Sequence, residues 1–263
     1  MTELACFDGD IAPAADTRIE ITDEGFLRGD GAFEVVRVYD GRPFALDEHL
    51  DRMERSAANL RLDGVPRLEM EEEAVQVLRE RGGEDFDGVL RIVLTRGGHR
   101  LLITEPLPPS PERPRLGFVT YAPTRVLDGV KSLSYAANML CGRMAHERGF
   151  DEALMVTPHG RVLEAPTASI FWVDAGGALR TPPLDDHILA SITRDRVMNL
   201  VEVHETAVTG DEIKEAREAF LASTTREVQP VGAIEEREFD GTGEVTAKAA
   251  AALRAQIESE LGR

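Results

Sequence analysis

The chain has 263 residues, 48 of them acidic against 30 lysines and arginines, for a formal net charge of −18, with 42% hydrophobic and 30% charged residues. Such a chain buries a substantial core, as one large domain or two smaller ones, and is not a disordered polymer. Its acidity argues against nucleic acid and anionic membrane as main partners, because neutralising phosphates needs clustered cations.

The elements are read in chain order. LACFDGDIAP reads as a strand and hairpin turn at Asp8-Gly9, and GAFEVVRVYDGRPFAL as two strands joined at Asp40-Gly41. Asp47 looks like a helix N-cap. The helix after it places Leu50, Met53, Ala57 and Leu60 on one apolar face. LEMEEEAVQVLRERGG reads as a second helix closed by a Gly pair, and VLRIVLTRGG as a β-rich run ending in a Gly-hinged loop. PLPPSPERPRL holds five of the 14 prolines and is the best linker. Beyond it RLGFVTYA reads as a strand and SYAANMLCGRMAHERGF as a helix. EALMVTPHGRVLEA and SIFWVDAGGALRTPP read as hairpins, and ITRDRVMNLV as a helix. Thr209 and Glu212 stand at capping-box spacing, FLASTT reads as a short strand, and a terminal helix follows. The expected class is α+β in two domains, residues 1–118 and 119–263.

Cys6 and Cys141 are the only cysteines and form no C-x-x-C pair, so neither a disulfide framework nor a zinc site is expected, and no metal. MTELACFDGD has neither the basic nor the apolar part of a secretory signal, and no apolar run approaches a membrane span. The expected location is the cytoplasm.

Lysine usage is the sharpest chemical signal. Three of the 30 basic residues are lysines, Lys131, Lys214 and Lys248, which leaves 27 arginines. Arginine cannot replace a lysine whose amine must lose its proton and attack a carbonyl. Lys214 and Lys248 read as lying on solvent-washed helices, whereas Lys131 stands in GVKSLSYAANML, before an apolar helix. A lysine that condenses with a cofactor aldehyde needs an acid near the ring nitrogen, a phosphate cradle and a means to hold a substrate carboxylate. Glu164, among Val162, Leu163, Ala165 and Pro166, is a candidate acid; an exposed strand-end glutamate is the equal alternative. Ile192-Thr193 at a helix start and Ser223-Thr224-Thr225 at a strand end are candidate anion sites. Arg52, among Asp47, Glu48 and Asp51, reads on spacing alone as a surface arginine.

Together these ordered segments, from RGDGAFEVVRVYDG to FLASTTREVQPV, resemble the fold type IV, or class IV, pyridoxal-phosphate enzymes. That family includes D-amino-acid, branched-chain and (R)-amine transaminases and the aminodeoxychorismate lyases. The resemblance implies a small N-terminal α/β domain, a larger β-barrel-like C-terminal domain with helices, pyridoxal 5'-phosphate as cofactor, and a homodimer. It makes Lys131 the Schiff-base lysine and Glu164 the ring-nitrogen acid. It places Tyr135 near the phenolic oxygen and Leu189 on the ring. Phosphate contacts fall to Arg52, Ile192, Thr193 and Thr224, reversing the surface reading of Arg52. Phe33, Thr225 and the His99-Arg100 loop, acting in the partner subunit, fall to the substrate. Ala165, Ser169 and Ser191 depart from the family's usual Gly, Asn and Gly. Phe33-Glu34-Val35, where branched-chain members read F-E-G, leans toward the D-amino-acid branch. The run Ser-Leu-Ser-Tyr after Lys131 leans away from the lyases. The implied activity is transamination between an amino acid, D-amino acids favoured, and a 2-oxo acid. A lyase, a branched-chain or (R)-amine transaminase, and a catalytically silent binding module are the alternatives.

Overall fold

The computed structural model describes residues 2–262, which pack as two compact units. The first runs to Pro108 and takes in Gly129–Tyr135; the second comprises Pro109–Asp128 and the described residues from Ala136 onward.

The first unit is an antiparallel sheet with two helices on one face. Its elements are β1 (Leu4–Phe7), β2 (Asp10–Pro13), α1 (Glu24–Arg28), β3 (Gly31–Tyr39), β4 (Arg42–Pro43), α2 (Leu46–Leu60), α3 (Arg67–Arg81), β5 (Gly88–Thr95) and β6 (Arg100–Glu105). The strand order is β2-β1-β6-β5-β3-β4. Alternation along β3 turns Ala32, Glu34, Val36 and Val38 to one face, and all four are fully buried. On that face they meet Leu50, Met53 and Ala57 of α2, the apolar stripe that the spacing predicts, and Met70, Ala74 and Val77 of α3. Two elements differ from expectation. Asp47 is not the cap of α2; Ala45 is, with left-handed φ of 57°, and Asp47 pairs instead with Arg67 of α3. Leu101–Thr104, given no element in the sequence reading, belong to β6, whose consecutive apolar residues hide the two-residue period.

The second unit contains β7 (Arg115–Thr120), α4 (Ala136–Glu147), β8 (Glu152–Val156), β9 (Ser169–Val173), β10 (Leu179–Thr181), α5 (Ile192–Leu200), β11 (His204–Glu205), α6 (Gly210–Ile213), β12 (Glu218–Ser223), β13 (Glu227–Pro230), β14 (Ala233–Ile234), β15 (Arg237–Glu238) and α7 (Glu244–Glu260). They form two sheets, β11-β10-β9-β12-β13 and β15-β14-β7-β8. Among the described residues neither sheet closes into the barrel expected of this half. Beyond β8 there is an isolated bridge, Val156 to Val162, rather than a further strand. A core of Leu116, Leu154, Ile170, Trp172, Leu221 and Phe239 lies within this unit. The capping box at Thr209 and Glu212 forms as its spacing predicts. No helix among the described residues is long and apolar enough to cross a membrane.

The chain first passes from one unit to the other within the proline-rich stretch, and the Lys131 segment packs with the first unit although the sequence reading assigned it to the second. The cause is backbone pairing. β4 covers β3 only at Val38 and Tyr39, which leaves the other end of that edge to residues 131–133. Phe33 N–H donates to Lys131 O at 3.0 Å, and Leu133 N–H donates to Gly31 O at 2.9 Å. A Cβ at Gly31 would press on the Leu94 carbonyl and the Leu133 methyl. Gly31→Ala should therefore destabilise the fold by about 1–3 kcal/mol and loosen the Lys131 segment. Thermal unfolding and amide exchange at Leu133 check both.

Candidate active site

Each unit carries its own set of the expected residues. In the first, the backbone of Lys131 is fixed on both sides. Its N–H donates to Ser56 Oγ of α2 at 3.1 Å, and its C=O accepts from Phe33. Its Nζ stands 4.2 Å from the centroid of the Phe33 ring and 5.5 Å from that of Tyr135. The two rings meet edge to face at 5.2 Å. Ring faces attract an ammonium, which holds the amine in place.

Arg52 is buried, not a surface arginine pairing with its helix neighbours. Arg67 takes Asp47 and Asp51 instead. Arg52 Nε and Nη2 donate to the two oxygens of Glu34 at 2.7 and 2.6 Å, a bidentate pair. His49 Nδ1 lies 2.7 Å from Glu34 Oε2. An ionised carboxylate only accepts, so Nδ1 carries the proton. Burial pushes the Glu34 carboxyl upward, but the charge and hydrogen bonds of Arg52, with the bond from His49, outweigh it and hold the pKa at about 2. Burial pushes His49 down, toward the neutral ring, and the charges of Arg52 and Lys131 add to this against the pull of Glu34.

His99 and Arg100 lie at the hairpin between β5 and β6, each against a carboxylate. His99 Nδ1 is 2.7 Å from Asp8 Oδ2, and the Arg100 N–H donates to Asp8 Oδ1 at 2.7 Å. The Arg100 guanidinium donates to Glu73 of α3 at 2.7 and 3.0 Å.

In the second unit, Glu164 lies in an extended segment rather than at a regular strand end, flanked by the buried Val162, Leu163 and Ala165. It accepts the Leu189 N–H at 3.2 Å, so the structure brings these two residues together. Two residues beyond Leu189, Ser191 caps α5 through the Arg194 N–H, and the helical ladder begins with Asp195 N–H to Ser191 O. The N–H groups of Ile192 and Thr193 thus precede the ladder, where a helix terminus favours an anion. Thr224 and Thr225 form the turn from β12 to β13. Beside them, buried Ser223 Oγ has no hydrogen-bond partner among the described residues. A lysine amine framed by aromatic rings, a helix N-terminus, a hydroxyl-rich turn with an orphaned hydroxyl, and a carboxylate in apolar surroundings are the donor types that a phosphorylated pyridoxal requires.

Glu34, His49 and Ser56 were missed in the sequence. The signal for Glu34 is its position in the β3 alternation, which assigns a carboxylate to the face of Ala32 and Val36.

Comparison with known proteins agrees. Residues 31–234 match the family model "Amino-transferase class IV". The solved fold IV transaminase CpuTA1 from Curtobacterium pusillum superposes with a TM-score of 0.84 at 29% identity, covering 97% of this chain and 99% of that one. A putative branched-chain-amino-acid aminotransferase of Methanocaldococcus jannaschii is 34% identical over 268 residues, covering 92% of each chain. A D-alanine aminotransferase of Bacillus licheniformis is 31% identical over 284 residues, covering 98% of each. The fold is therefore that of the fold IV transaminases. The chain belongs to the class IV aminotransferases, which bind pyridoxal 5'-phosphate.

The ionisation of Glu34 links stability to acid. Its folded pKa lies below the ordinary 4.5, so its contribution is present above that value and is lost as pH falls toward about 2. Denaturant unfolding should show stability declining over that interval, with a smaller decline in Glu34→Gln.

Proposed function

We propose that this aminotransferase moves the amino group of a D-amino acid to a 2-oxo acid, with Lys131 as its catalytic lysine. The observation that carries the assignment of Lys131 is its amine, held over the Phe33 and Tyr135 rings by a backbone fixed at both ends. When bound, pyridoxal phosphate supplies an electron sink for the bond broken at the substrate α-carbon. Lys131 holds the cofactor through its amine in the resting enzyme. Once displaced by the amino donor, Lys131 Nζ carries the proton away from the α-carbon and returns it on the other side of the exchange.

Glu164 keeps a proton on the cofactor ring nitrogen. The Leu189 N–H orients its carboxylate, and the Leu189 side chain would lie against the bound cofactor ring. Arg52, the N–H groups of Ile192 and Thr193, and the Thr224 hydroxyl hold the phosphate, and Tyr135 serves the phenolic oxygen. Phe33 and Thr225 meet the substrate. His99 and Arg100 act on it from the second subunit of a homodimer, where a substrate carboxylate competes with Asp8 and Glu73 for them. In the cytoplasm, the reductants of that compartment match the two free thiols.

The D-amino-acid preference rests on Val35, which lies two residues from Phe33 on the same strand face and fills space that a glycine would leave. The D-alanine aminotransferase relative supports it. A second reading, a branched-chain L-amino-acid donor, is favoured by the Methanocaldococcus relative.

Two measurements test this reading. Borohydride reduction of the loaded enzyme should fix the cofactor covalently on Lys131, whereas Lys131→Arg should bind the cofactor without attachment. Attachment elsewhere would remove Lys131 from its role. Across a panel of donors, D-amino acids should convert the cofactor to its amine form faster than their L-counterparts. Faster conversion by L-leucine or L-valine would move the enzyme to the branched-chain group.

A further inference from the structure

The reaction as described makes no use of the buried Glu34 carboxylate. It is fully buried on the core face of β3, a position where the other side chains are Ala32, Val36 and Val38. An ionised carboxylate there is retained only if every oxygen is compensated. Both are: Oε1 accepts from Arg52 Nε, and Oε2 accepts from Arg52 Nη2 and faces His49 Nδ1. The three side chains form an assembly in which the guanidinium cannot rotate without breaking two charge-assisted bonds.

The helix that carries Arg52 also carries Ser56, one turn on and fully buried, whose hydroxyl accepts the Lys131 N–H. Lys131 in turn is hydrogen-bonded to Phe33, the neighbour of Glu34. Glu34, Arg52, Ser56, Lys131 and Phe33 thus close a ring of contacts through α2 and β3. The orientation of the guanidinium and the backbone of the lysine are referred to the same frame.

We propose that Glu34 is a positioning residue: by holding the Arg52 guanidinium in one orientation it sets where the cofactor phosphate is gripped relative to Lys131. The proposal rests on the reading of Arg52 as a phosphate group. An arginine free to rotate would lose many of its orientations on binding; one already held by a carboxylate loses few. His49 completes the arrangement by occupying the second oxygen as a neutral donor, so that Glu34 is satisfied without a second cation.

The test compares binding of pyridoxal 5'-phosphate with binding of pyridoxal, which lacks the phosphate, to the cofactor-stripped enzyme by calorimetry. The dissociation constant of pyridoxal divided by that of pyridoxal 5'-phosphate isolates the phosphate grip from Lys131 and ring contacts. Arg52→Gln should lower this ratio strongly. Glu34→Gln should lower it on the order of tenfold, the usual scale for a hydrogen bond to a charged group. Adding Glu34→Gln to Arg52→Gln should change it no further, because the effect travels through Arg52. If Glu34→Gln does not fold, Glu34→Asp replaces it; its shorter chain keeps the charge but cannot reach both Arg52 nitrogens and His49, and the same fall is expected.

An unchanged ratio in Arg52→Gln would remove Arg52 from the phosphate, and with it the basis of the proposal. A lowered ratio in Arg52→Gln, with the Glu34 variant within twofold of the native enzyme, would overturn the positioning role alone. So would a Glu34 effect that persists undiminished when Arg52 is already absent.

Discussion

The short edge of β3 left open by β4 governs this molecule. Because β4 is only two residues long, the Gly31 and Phe33 backbone groups need partners, and residues 131–133 supply them. That pairing brings an amine to the Phe33 ring and an amide to Ser56 on α2. The rest of the first unit supports it: α2 and α3 fill the opposite face of the sheet, and Gly31 permits close approach because it has no side chain.

Electrostatics in this acidic chain is local. A net charge of −18 would be hostile to a phosphorylated cofactor if it were spread evenly. Instead, buried cations are matched one by one with carboxylates: Arg52 with Glu34, Arg37 with Asp87, Arg194 with Glu205. The matched pairs cancel at short range, and the surplus of negative charge is left for exposed side chains.

Much of this was legible in the sequence, where the physics is local. Strand alternation, Asp-Gly turns and the capping box at Thr209 depend on residues within a few positions of one another, and they form as read. Lys131 stood out because lysine is rare in this arginine-rich chain and the other two, Lys214 and Lys248, read as solvent-washed. What the sequence could not reveal depends on distant partners. The cap of α2 falls on Ala45 because of a left-handed backbone, which no alanine side chain announces. Arg52 looked like a surface residue because three acidic neighbours surround it in sequence, while its actual partner lies 18 residues away on another element. The attachment of residues 129–135 to the first unit follows from an unfilled strand edge that only the assembled sheet displays.

The seven-residue excursion of Gly129–Tyr135 also bears on how the chain is made. During synthesis, the residues up to Pro108 emerge with the Gly31–Phe33 edge of β3 still bare. A bare edge is a template for foreign strands. The segment that covers it is not released until the ribosome has extended well past Tyr135. For that interval the nascent sheet depends on its short exposed length and on the charged groups nearby, among them Arg28 and Asp30, to deter mispairing. The lysine segment thus also serves as the closing strip of the sheet on which it acts.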